Sequence, residues 1–271
     1  MKTAVRRRTS PLSTLLVLAL LLFSAGLLAG WAGASVLAQA GQKPLSNTVP
    51  ASTQPLPVST PIPASDKPAS APSGAEWNLL LVNFETPLPE DFDIPELVQL
   101  RNGHSIDSRA YPALQRMMDD CRAAGLQPLI CSSCRSEETQ QRLFEKEVQN
   151  WRSQGCSQEK AEEQAARWVA RPGTSEHQLG LAMDIVSSSY QALTKKQEQT
   201  KEQKWLMEHC WEYGFILRYP NDKSEITGIG YEPWHYRYVG VEIAQDIRES
   251  GLCMEEYLLL REEALADRDA V

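Results

Sequence analysis

The chain has 271 residues, with 27 basic and 35 acidic side chains and a formal net charge of −8. The charge is unevenly spread: from Glu76 onward 34 acidic residues face 21 basic ones, a formal charge of −13. An acidic domain of this kind would repel phosphates, which argues against nucleic acid as a partner.

At the N-terminus Lys2, Arg6, Arg7 and Arg8 precede a largely apolar stretch, Leu15 to Leu37, and no charged side chain occurs between Arg8 and Lys43. A basic flank followed by ~20 apolar residues marks a membrane-directed segment whose C-terminal continuation lies outside the cytoplasmic membrane. Residues 1–40 therefore read as a membrane anchor or a signal peptide. Ala38-Gln39-Ala40 offers a small-x-small cleavage site, while the length of the apolar stretch favours the anchor. Residues 41–75 are rich in Pro, Ser, Thr and Ala with almost no aromatic or charged side chain, the composition of an extended, disordered linker. Residues 76–271 are long enough for one sizeable core and form the expected folded domain.

Within that domain Trp77 to Pro89 reads as a first strand and loop. A helix is expected over Tyr111 to Ala124, with Leu114, Met117, Met118 and Cys121 at helical spacing and Gly125 as its stop. Leu126 to Ser133 is short and apolar enough for a buried strand. Ser136 is a suitable N-cap for a helix over Glu137 to Trp151, whose first-turn glutamates complement the helix dipole. A further helix over about Gln158 to Ala170 precedes Pro172-Gly173. Another is expected near Lys195 to Tyr213, then the strand-like runs "GFILRYP", "ITGI" and "WHYRYVG", and a last helix from about Val241. Helices gather early and strands late without regular alternation. The expected fold class is α+β, a central largely antiparallel sheet with helices packed around it in one domain.

Four histidines occur in the chain. His104 lies in a polar loop and His209 in a charged helix, the settings of surface or packing residues. His177, in "TSEHQLGLAMDI", has Asp184 seven residues on, and His235, in "YEPWHYRY", has Glu232 three residues before it. Two imidazoles and a carboxylate form a set that catalytic zinc sites use, with a fourth position left for water. A further carboxylate can act as general base. Pro233 keeps Glu232 and His235 out of a regular helical turn, so a bend could aim both into one cleft. The same residues also suit a bland reading as a helix start, a cap and an aromatic core corner.

The ordered runs "SSCRSEETQ", "PGTSEHQLGLAMDI", "GFILRYP" and "YEPWHYRYVG" resemble the VanY-type D-alanyl-D-alanine carboxypeptidases, a group of zinc peptidases that also includes VanX dipeptidases and L,D-carboxypeptidases. The resemblance spans about Trp77 to Leu258 and rests on the pattern SxHxxGxAxD followed by ExxH. It implies one zinc ion per catalytic domain, held by His177, Asp184 and His235, with Glu232 as catalytic base. It also implies that Arg135, Gln140 and Ser175 bind the end of the peptide, including its terminal carboxylate, and that Tyr219 and Trp234 line the cleft. A guanidinium suits a free carboxylate because it can donate two charge-assisted hydrogen bonds. The implied function is removal of the terminal D-alanine from peptidoglycan stem peptides. The rivals are an L,D-carboxypeptidase, a D,D-dipeptidase or a wall endopeptidase of the same chemistry, a non-catalytic wall-binding module, and a thiol-disulfide oxidoreductase built on Cys131 and Cys134. The implied setting is the cell envelope, anchored or secreted, with a monomeric catalytic domain.

The run "ICSSCRS", Ile130 to Ser136, contains a CxxC spacing, but the helix signal begins only at Ser136, after the second cysteine. In an extended segment Cys131 and Cys134 would face opposite sides. The six cysteines, Cys121, Cys131, Cys134, Cys156, Cys210 and Cys253, select no pairing by spacing. Several sit on apolar faces where a free cysteine packs as a small hydrophobe.

Overall fold

The computed structural model describes residues 77–269. The expected membrane-directed segment and linker lie outside the described residues, and no helix among the described residues is long and apolar enough to cross a membrane.

The fold is α+β. Two short strands, β1 (Leu97–Gln99) and β2 (Ser105–Asp107), pair antiparallel. Helix α1 (Tyr111–Ala123) leads into β3 (Pro128–Ser132), and two helices follow, α2 (Glu137–Ser153) and α3 (Gln158–Ala166). Then come β4 (Ala182–Ser187), α4 (Lys201–His209), β5 (Phe215–Leu217), the single turn α5 (Ser224–Thr227), β6 (His235–Tyr238), α6 (Val241–Ser250) and α7 (Met254–Asp269). Strands β3, β4, β6 and β5 form one sheet in that order, every neighbouring pair antiparallel.

The period of two along each strand divides this sheet into two faces. Met183, Ile185, Tyr236 and Phe215 face a core completed by Leu114, Met117 and Met118 of α1 and by Leu206 of α4. The opposite face carries Asp184, His235 and Arg237. At its β5 side Ile216 joins a second cluster with Ala244 and Ile247 of α6 and Met254 of α7. Helices α2 and α3 form their own small core through Phe144, Val148, Ala161 and Ala165. Ser136 caps α2 as its position implies, its hydroxyl accepting from the Thr139 N–H at 3.3 Å.

Four local expectations change. Trp77 to Pro89 is not a strand. It runs beside β6 held by side chains, with Asn78 Nδ2 donating to the Val239 carbonyl and Arg237 Nη2 donating to the Asn78 and Leu80 carbonyls, so its backbone needs no ladder. The run "ITGI" is helical at Ser224–Thr227, closed by Gly228 at φ 74°. The stretch Lys195 to Tyr213 is broken at Thr200, where a 3-10 turn, Lys195–Gln199, ends and the Thr200 side chain accepts from the Gln203 N–H to start α4. The last helix is two helices, split at Gly251 with φ 68°.

All six cysteines are free. Strand β3 ends at Ser132, before Cys134, and its register shifts between Ile130 and Ser132, so Cys131 occupies a bulge.

Candidate metal centre and cleft

Asp184 on β4 is the direct cross-strand partner of His235 on β6, so both side chains leave the same face of the sheet. His177 belongs to a 3-10 turn, Glu176–Leu179, that ends at Gly180. There a φ of 74° and the Leu97 methyl group, 3.1 Å from where a Cβ would stand, demand glycine. The turn swings His177 over the sheet. Its Nε2 lies 3.4 Å from Asp184 Oδ1, and His235 Nδ1 lies 3.2 Å from the same oxygen. The two imidazole rings meet edge to face, 4.8 Å between centroids.

These residues fit a zinc ion. One ligand atom from each of the three lies within 4.8 Å of the others. A tetrahedron with bonds of ~2.0–2.1 Å has edges of about 3.3 Å, close to the two distances from Asp184 Oδ1. Asp184 Oδ1 is buried without a hydrogen bond, while Oδ2 accepts from Arg135 Nη2 at 2.9 Å, so the carboxylate offers one bare oxygen to the site. His177 Nδ1 lies 2.8 Å from the Ser133 carbonyl oxygen, which can only accept. The proton therefore sits on Nδ1 and the Nε2 lone pair is left for a metal.

Burial, aided by the Arg135 cation, pulls His177 down to about 4, so the ring is neutral at pH 7. Burial would also lower His235, but its contacts with Asp184 and Glu176 lift it to about 9. Burial opposes ionisation of Asp184, yet the two histidines hold its carboxyl well below the usual range. Burial pushes Glu232 up to about 8. Its Oε2 is 3.6 Å from His235 Nδ1. The His235 N–H donates to the Glu232 carbonyl at 3.1 Å, closing a turn with Pro233 at its second position, and this bend aims both side chains into the cleft.

All nine residues singled out from the sequence line this one cleft: Arg135, Gln140, Ser175, His177, Asp184, Tyr219, Glu232, Trp234 and His235. Its volume is about 440 Å³. His104 and His209 do not line it, and His209 pairs with Glu212 at 2.8 Å. The arginine is held by several partners. Nε and Nη2 donate to Ser132 Oγ at 2.9 and 2.6 Å, Nη1 to Gln140 Oε1 at 3.1 Å, and Nη2 also to Asp184. A guanidinium has five N–H groups, so one, on Nη1, is left without a protein acceptor and the two-bond fork is not free. Gln140 is a brace: its Nε2 donates to the Ala170 carbonyl at 2.7 Å. Tyr219 packs against His235 with ring centroids 4.7 Å apart.

Two features were not found by reading the sequence. The cleft runs on past the metal centre to Leu143, Glu147 and Trp151 of α2, to Trp168 after α3, and to Leu193. The helical spacing of Leu143, Glu147 and Trp151 on one face was available as a signal. Behind the centre lies an ionic cluster whose fully buried heart is Glu176, Arg218 and Arg237: Glu176 Oε1 accepts from Arg218 Nε at 2.7 Å and from Arg237 Nη1 at 2.8 Å. Arg218 also pairs with Glu255 of α7. Nothing local in the sequence joins these four residues.

The family model for D-alanyl-D-alanine carboxypeptidase matches residues 103–241. A D-alanyl-D-alanine carboxypeptidase of Enterococcus faecalis is 46% identical over 183 residues, which cover 68% of this chain and 66% of that protein. This chain thus spans about two thirds of that relative. A solved structure of a VanY D,D-pentapeptidase from a VanB-type resistance cassette, in complex with Zn(II), is 46% identical with a TM-score of 0.62, over 67% of this chain and 99% of the other. A structure of VanYB in complex with D-alanine-D-alanine is 47% identical, also with a TM-score of 0.62, over 67% and 97%.

Proposed function

The chain belongs to the VanY family of D-alanyl-D-alanine carboxypeptidases, and from that premise we propose that it is a zinc-dependent carboxypeptidase that removes the terminal D-alanine from peptidoglycan stem peptides. One observation carries the reading: His177 Nε2, Asp184 Oδ1 and His235 Nδ1 converge in a buried cleft with the carboxylate of Glu232 3.6 Å from the last of them. A zinc ion in such a site supplies a Lewis acid for the scissile carbonyl and a bound water of lowered pKa. The protein's own groups do the rest.

In its ionised form Glu232 takes a proton from the attacking water and returns it to the departing amine of D-alanine. The unclaimed Nη1 N–H of Arg135 is held in place by the bonds to Ser132, Gln140 and Asp184. It is preorganised to bind oxygen, either the charge developing on the carbonyl or the terminal carboxylate. Tyr219 and Trp234, both buried, wall the reacting end against water. The outer cleft, with Trp151, Trp168 and Leu193, offers room for the stem residues that precede the scissile bond.

The N-terminal features extend this reading. A basic flank and apolar stretch in residues 1–40, then a Pro-rich stretch to residue 75, support a catalytic domain outside the cytoplasmic membrane, tethered or released by cleavage. The deciding experiment incubates the protein with defined pentapeptide and tetrapeptide stems, with and without a chelator, and follows D-alanine by mass. Release of one D-alanine from the pentapeptide, abolished by chelation and restored by zinc, is expected. Cleavage of the tetrapeptide alone would make it an L,D-carboxypeptidase, and activity indifferent to chelation would end the zinc reading.

A further inference from the structure

We infer that Glu176 is the positioning residue for His235, accepting the Nε2 proton of that ring and so fixing the tautomer whose Nδ1 faces the metal site. This rests on the zinc reading of the same centre. His235 Nδ1 is the atom that converges with Asp184 Oδ1, at 3.2 Å, so it must be bare to bind a cation and the ring proton must sit on Nε2. His235 Nε2 is buried with no hydrogen-bond partner. So is Glu176 Oε2. The two atoms stand 3.6 Å apart, a donor and an acceptor separated by a gap that a small ring rotation closes. Leaving both unsatisfied in a buried site would cost each its lost hydration, so their closure is strongly favoured.

The carboxylate has little freedom to do anything else. Its Oε1 is fixed by Arg218 and Arg237 at 2.7 and 2.8 Å, and both side chains of that clamp are themselves committed. Arg218 is paired with both oxygens of Glu255 at 2.9 and 2.6 Å. Arg237 donates to the carbonyls of Tyr238, Asn78 and Leu80, each at 3.0 Å. Neutralising the arginines occupies Oε1 alone. The placement of Oε2 against the back of a metal ligand is what a purely structural role leaves unexplained, and it is the arrangement by which a carboxylate orients a ligating histidine. The adjacent residues Glu176 and His177 would then serve the same ion from two sides.

Glu176→Gln keeps the shape and inverts the polarity. The two guanidiniums require an acceptor and hold the amide oxygen, which turns the NH2 group toward His235 Nε2. That nitrogen must then accept, and its proton moves to Nδ1, where it blocks the metal. Competition with a chromophoric chelator should show zinc affinity lowered ~10- to 100-fold in this variant. Native zinc affinity in a folded variant would overturn the inference. Should the variant not fold, nitrogen NMR of histidine-labelled, zinc-loaded native protein decides the matter. A His235 ring metallated at Nδ1 with a slowly exchanging Nε2 proton supports it, and metallation at Nε2 overturns it. Native protein that binds no zinc would overturn the zinc reading itself, and this inference with it.

Discussion

Replacing Glu232 with glutamine tests the chemistry at a single proton. Gln fills the same volume in a site where Glu232 is 7% exposed, and it accepts no proton at any ordinary pH. The three converging ligand atoms belong to other residues, so zinc should remain bound with native affinity. Loss of a positioned general base costs ~10²- to 10⁴-fold in rate, or roughly 3 to 5 kcal/mol of barrier. That loss should fall on kcat, with KM within a few fold, because the proposed role is proton transfer during the reaction and not binding of the peptide. Stability should move the other way. Burial raises Glu232 from 4.5 to about 8 in the folded protein, so the folded form keeps a proton that the unfolded form has lost across that interval. Metal-free native protein therefore loses stability through this residue as pH rises from about 4.5 to about 8, and the variant does not. The melting difference in favour of Glu232→Gln should grow over that range. The assay is D-alanine release from a pentapeptide stem, alongside melting of the metal-free forms. A kcat within tenfold of native, with zinc retained, would refute the assignment of Glu232 as base.

Zinc must displace the Nδ1 proton from a ring lifted to about 9, so apparent zinc affinity should rise about tenfold per pH unit between about 6 and 9, read by chelator competition. The same lifted value means that His235 stabilises the metal-free fold fully below its unfolded value of 6.5 and loses that contribution as pH rises through about 9. Melting temperature without zinc should therefore fall over that interval. Arg135→Lys replaces a fork that bonds Ser132, Gln140 and Asp184 with a single point charge, and kcat/KM should drop ~10- to 100-fold, measured by the same release assay. Gly214→Ala should lower stability by at least ~1–2 kcal/mol in urea denaturation. Its φ is +82° and the added Cβ would lie 2.9 Å from the Gly240 backbone, which cannot yield as a side chain could.

The site was legible because its residues sit in two short runs whose chemistry is local. A histidine and an aspartate seven apart span one turn and one strand entry, and Glu232-Pro233-Trp234-His235 builds its own bend, so no distant contact is needed to see either pair. Helix α1 and the capped start of α2 were legible for the same reason, since period and capping chemistry act within a few residues. Trp77 to Pro89 misled because its alternation satisfies a strand pattern while its backbone is held by Asn78 and by Arg237, 159 and 157 residues from its two acceptors. Nothing local could report that. The cluster of Glu176, Arg218, Arg237 and Glu255 escaped notice on the same ground: four charges from four parts of the chain read one at a time as surface residues, and only their convergence makes burial tolerable.

The sheet couples the packing of the core to the geometry of the metal site. Along β4, Met183 and Ile185 enter the main core while Asp184 between them faces the metal site; along β6, Tyr236 enters the core while His235 and Arg237 flank it on the other face. The apolar residues thus set which side the ligands occupy. A slip of one residue would carry Asp184 into the core and Met183 into the cleft, at the cost of a buried carboxylate without partners and of the main core contacts. Core packing therefore fixes the register that places Asp184 opposite His235. It is the same register that sets Arg237 behind His235, where its guanidinium holds Glu176 against the ring. Two of the three candidate metal ligands, Asp184 and His235, and the arginine that holds Glu176 are positioned by a single strand pairing, so disturbing the β4 and β6 core residues should weaken zinc binding before it abolishes the fold.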